Sequence, residues 1–129
     1  MHQLFNKTPF QIKLAVSILY IGLVAALSLL PVKDLPNVPL FPGADKLIHT
    51  TMYFGLSILL LWTFHTRKIL RWKLYTFIVS WGISMEILQI IMHAGRHFSL
   101  FDILANILGL LLGIALYMLL ISKMNLDQI

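Results

Sequence analysis

A chain of 129 residues that is 59% hydrophobic and only 12% charged, with a mean hydropathy of +0.86, carries about half the charge share of a soluble domain. Its apolar residues come in long unbroken blocks, so it reads as an integral membrane protein, and the absence of cysteine excludes disulfides, thiolate metal sites and cysteine nucleophiles. The net charge of +5 gathers near the ends of the apolar blocks, which assigns it to membrane topology and not to nucleic acid.

A polar, basic lead-in with Lys7 and Lys13 precedes the first apolar block, Leu14–Leu30, which Pro31 closes. No small-x-small cleavage site follows it, so a retained helix is preferred to a signal peptide. Residues 31–44 hold Pro31, Pro36, Pro39, Pro42 and Gly43, a density that blocks helix and leaves an extended or turning linker. Asp45 opens the second block, which runs to about Phe64, and is placed to cap it by accepting from free N–H groups of the first turn. The segment 65–73 carries Arg67, Lys68, Arg71 and Lys73 and no acid. The third block, about Leu74–Met92, contains one carboxylate, Glu86. After a short turn, Ser99-x-x-Asp102 reads as a capping box opening the fourth block, which ends near Ile121.

The expected fold is therefore all-α: a polytopic, antiparallel four-transmembrane-helix bundle with helices at about 14–30, 45–64, 74–92 and 102–121, in one domain covering 1–129. Orientation follows from Lys and Arg near the helix ends. Seven lie in the N-terminal segment, the 65–73 loop and the tail, against three near the 31–44 and 94–101 loops. Both termini are then cytoplasmic, and the other two loops face outward.

This orientation gathers the polar motifs on one side. Asp45, Lys46 and His49 lie in the outer first turns of the second helix. Gly82, Glu86, Gln89 and His93 are spaced i, i+4, i+7, i+11 in the outer half of the third. Asp102, Asn106, Gly109 and Gly113 repeat that spacing on the fourth. A charge facing lipid costs about 2.5–3.5 kcal/mol or more at the bilayer centre, so the three stripes are expected to face one another.

Read in order, Asp45-Lys46-x-x-His49-x-x-x-Tyr53, Glu86-x-x-Gln89 and Gly95-Arg96-x-x-Ser99-x-x-Asp102-x-x-Ala105-Asn106-x-x-Gly109-x-x-x-Gly113 resemble the VanZ-like family of small bacterial membrane proteins. The resemblance spans about residues 31–121. It implies a multi-pass protein of the bacterial cytoplasmic (inner) membrane, with a namesake linked to reduced susceptibility to teicoplanin-type glycopeptides. It supplies no reaction.

Each residue also has a structural explanation. Asp45 and Asp102 sit where helix caps sit. Asn106 and Gln89 can serve as interhelical hydrogen-bond partners, and Gly109 and Gly113 as close-packing positions. His93 and His97 lie near the interface, where they can be solvated. His49 and Glu86 fit such explanations worst, because both lie inside apolar blocks and neither caps a helix.

Three functional readings follow. The first is a catalytic centre of Glu86, His49 and Asp102 acting on a lipid-linked or cell-wall precursor, with Lys46 and Arg96 holding phosphate or carboxylate. In that reading Asp45, Gln89 and Asn106 complete the binding set. The second is a non-catalytic binding or structural protein. The third is a metal site of Asp45, His49, Glu86 and Asp102, with His93 as a further candidate ligand, ranked last because no spaced ligand motif accompanies it. No cofactor is expected, and the bilayer is the expected partner.

Overall fold

The computed structural model describes residues 7–30, 41–67, 69–92 and 97–126, with side chains to 123. These form four α-helices and no strand: α1 (Phe10–Leu29), α2 (Ala44–Thr63), α3 (Arg71–Ile91) and α4 (Leu100–Leu126). The expected proline linker over 31–40 and the turn at 93–96 lie outside the described residues.

Every apolar block is a helix, but the ends move. α1 starts behind Pro9, so Lys13, expected in the lead-in, lies inside the helix and is buried. Its ammonium sits 5.0 Å from the Trp62 ring centroid, an aromatic face that offsets part of the lost hydration. α3 begins at Arg71 and α4 runs to Leu126, with Lys123 favourably placed near its negative end. Asp45 does not cap α2. The cap position is Gly43, at φ +86°, and no side chain caps the helix. The Asp45 carboxylate pairs instead with the ammonium of Lys46, a stronger donor than a backbone N–H.

Cross-helix contacts fix the directions. Lys46 meets Asp102 and His65 meets Tyr117, so α2 and α4 run parallel. Ser17 meets Thr63 while Tyr20 donates to the Met52 carbonyl, so α1 runs against α2. Glu86 meets Ser99 while Arg71 lies over Tyr117, so α3 runs against α4. The bundle is antiparallel, as expected.

α2 touches the other three helices. Its partnership with α4 is the tightest, because Gly109 and Gly113 let the two backbones approach. A Cβ at either glycine would collide with Thr50, Phe54 or Ser57 of α2. The core builds on this seam, from Tyr53, Leu56 and Leu60 with Val24, Ile78 and Leu110. α1, α3 and α4 are long and apolar enough to cross a membrane. They turn Leu19, Phe77, Ile87, Leu111 and Leu119 outward, where lipid covers them. α2 carries Asp45, Lys46 and His49 in its first turns, where His49 is buried in the bundle and Asp45 stays exposed.

Candidate functional site

Three helices bring one ionisable group each to a common point near one end of the bundle. His49 of α2, Glu86 of α3 and Asp102 of α4 each place a ligand atom within 4.8 Å of the others. The i+4 spacings read from the sequence explain the arrangement. One turn deeper, Tyr53, Gly82 and Asn106 come from the same three helices. A Cβ on Gly82 would lie 3.0 Å from Asn106 Nδ2 and 3.3 Å from the Tyr53 hydroxyl. A side chain at this position of α3 would press on both.

The second layer orients the first. His49 Nδ1 lies 3.0 Å from Asn106 Oδ1 in the buried interior. A carboxamide oxygen only accepts, so Nδ1 carries a proton and donates. Nε2 points toward Asp102 Oδ2 at 3.8 Å, beyond hydrogen-bond reach.

Only half of the expected capping box forms. The Asp102 N–H donates to Ser99 Oγ at 3.2 Å, so Ser99 caps α4. The reciprocal acceptor for the Ser99 N–H is Glu86 Oε2 of α3, at 3.4 Å, not Asp102. Asp102 is thereby released to pair through Oδ1 with Lys46 Nζ at 2.5 Å while Oδ2 faces His49. Glu86 thus serves the fold as well as the centre, because it ties the start of α4 to α3.

The remaining candidates divide. Lys46 bridges Asp45 and Asp102, so its charge is committed to two carboxylates. Gln89 is drawn away, since its Nε2 donates to the Ser28 carbonyl at 2.8 Å and ties α3 to α1. Arg96 and His93 lie outside the described residues. The Tyr53 hydroxyl is buried with no hydrogen-bond partner among the described residues.

The opposite end of the bundle holds a second polar set. The Ser17 and Thr63 hydroxyls lie 2.8 Å apart, Thr63 also donates to the Lys13 carbonyl at 3.2 Å, and His65 Nδ1 meets the Tyr117 hydroxyl at 2.6 Å. Sequence reasoning missed it although a signal was there. Lys13, Ser17, Val24 and Ser28 are the buried residues of α1 and follow the same helical spacing.

The fold and this centre define a small helical membrane protein with a buried ionisable cluster near one end. The chain belongs to the VanZ/LLP1 family, whose model matches residues 2–121. No curated protein and no solved structure matches it.

Proposed function

We propose that this protein binds or acts on a lipid-linked or cell-envelope molecule at the outer face of the bacterial cytoplasmic membrane, through the His49–Glu86–Asp102 centre. One observation carries the reading. The polar groups form a graded path from interior to surface, with Glu86 fully buried, Asp102 15%, Lys46 38% and Asp45 60% exposed. Glu86 lies roughly 7–8 Å from the end of α3 at 1.5 Å per residue, which is headgroup depth. Exposed Phe41, Phe98, Leu100 and Phe101 flank the same end, suited to the acyl side of an amphipathic ligand. The family's link to teicoplanin-type resistance fits an envelope molecule as the ligand class.

Incubating purified protein with labelled lipid-linked cell-wall precursors tests this. Retention or conversion is expected with the native chain and is expected to be lost in His49→Ala. Neither retention nor conversion by the native chain would leave the centre as helix-joining structure, the reading that the Glu86–Ser99 and His49–Asn106 bonds also fit.

The reading requires the centre to face outward. Single cysteines at Pro42 and Thr66, both exposed, are expected to label in intact cells from outside and only after permeabilisation, respectively. The reverse pattern would turn the centre to the cytoplasm and remove extracytoplasmic precursors as ligands.

A further inference from the structure

We infer that His49, Glu86 and Asp102 form a binding site for a divalent first-row metal ion such as zinc or manganese. The inference deepens the functional reading of the same centre, but it is tested without any lipid.

Spacing along the chain lends metal little support, because no contiguous ligand motif is present. That objection loses its force once the ligands come from three helices, each supplying one. An imidazole nitrogen with two carboxylate oxygens is a donor set suited to zinc, manganese or ferrous iron, with further positions left for water or a ligand oxygen. Ligands about 2.0–2.2 Å from a shared ion stand up to about 4.4 Å apart. The three atoms already lie within 4.8 Å, so small side-chain rotations suffice.

A further observation, at His49, points to a cation. Its side chain is nearly buried, its Nδ1–H is held by Asn106, and its Nε2 is aimed into the centre with no hydrogen bond. Metal-bound histidines are held this way, with the far N–H donated to an oxygen that fixes tautomer and ring plane. Lys46 occupies Asp102 Oδ1 and leaves Oδ2 to the ion, so it acts as an outer support and not as a competitor. The bound ion would also supply what Lys46, already paired, cannot: an electrophile for a phosphate or carboxylate oxygen.

The test uses the full chain in detergent, stripped with chelator and titrated with manganese or zinc alone, read by calorimetry and by manganese paramagnetic resonance. One ion per chain is expected. His49→Ala and Glu86→Gln should each weaken binding at least 10-fold, and Asn106→Leu, which frees the His49 ring, should weaken it 10–100-fold. Ser84→Ala, on the exposed side of α3, should leave it unchanged. Cobalt substitution gives a second readout, because a d–d spectrum that changes in Glu86→Gln identifies that carboxylate as a ligand even if His49→Ala fails to fold. No ion per chain, or an ion whose affinity and cobalt spectrum ignore Glu86→Gln, overturns the site. Precursor binding that survives chelation would overturn the metal's part in function while sparing the functional reading. Metal binding without precursor recognition would do the reverse.

Discussion

Glu86→Gln is expected to abolish binding or activity at the centre while the bundle still inserts and folds, whereas Glu86→Ala is expected to lower stability as well. The two variants separate the two tasks of this side chain. Glutamine keeps the shape and retains an acceptor for the Ser99 N–H at the start of α4, so the cap survives and stability should change by less than about 1 kcal/mol. It loses the charge and the second carboxylate oxygen, which is what a proton transfer or a metal ion requires. Alanine removes the acceptor in a fully buried position. That strands a donor at about 1–3 kcal/mol and leaves a void besides. Thermal unfolding and ligand binding of both variants, measured side by side, decide the matter. A Glu86→Gln protein that is stable and fully active would reduce the centre to structural glue.

Much of this centre is legible in the sequence. Charges inside apolar blocks must face protein, and matched i, i+4, i+7 spacings on three blocks can meet only at a shared seam. His49, Glu86, Asp102 and Asn106 do meet there. Gln89 shows where the stripe argument is too coarse. It shares Glu86's stripe, yet three residues advance the side chain by about 300°, which leaves it roughly 60° away around the helix. In a four-helix bundle that is enough to face a different neighbour, and Gln89 bonds to Ser28 of α1.

The errors at helix ends have local causes that spacing does not reveal. Asp45 had the right position to cap α2, but the adjacent Lys46 offered a charged partner. Lys13 looked like the end of a polar lead-in, because nothing in a linear chain announces that Trp62 will present a ring to it. Ser99-x-x-Asp102 opened a helix as a capping box should, yet its return bond came from Glu86, a residue 13 positions away. Local patterns place the groups, and the partners come from the tertiary fold.

Gly109→Ala is expected to destabilise the bundle by about 1–3 kcal/mol and to disable the centre with it. In an ordinary helix interior the same change would stabilise, since alanine is the better helix former by up to about 1 kcal/mol. Here the added Cβ would strike the Thr50 carbonyl oxygen and lie 2.8 Å from the Phe54 nitrogen. Both are backbone atoms of α2 and neither can rotate aside, so α2 and α4 must separate. Gly113→Ala should cost less, because its nearest obstacle is the Ser57 hydroxyl, a side chain able to turn away at the loss of its 2.9 Å bond to the Phe54 carbonyl. Gly22→Ala, where a Cβ meets nothing within 4 Å, should be neutral or slightly stabilising. Thermal unfolding of the detergent-solubilised monomer should therefore rank the three in the order Gly22, Gly113, Gly109. Separation of the seam also pulls Lys46 and His49 of α2 from Asp102 and Asn106 of α4, so ligand or metal binding should fall together with stability in Gly109→Ala. A Gly109→Ala monomer as stable as the native chain, altered only in self-association, would place the glycine stripe at a dimer interface and not at the seam that assembles the centre.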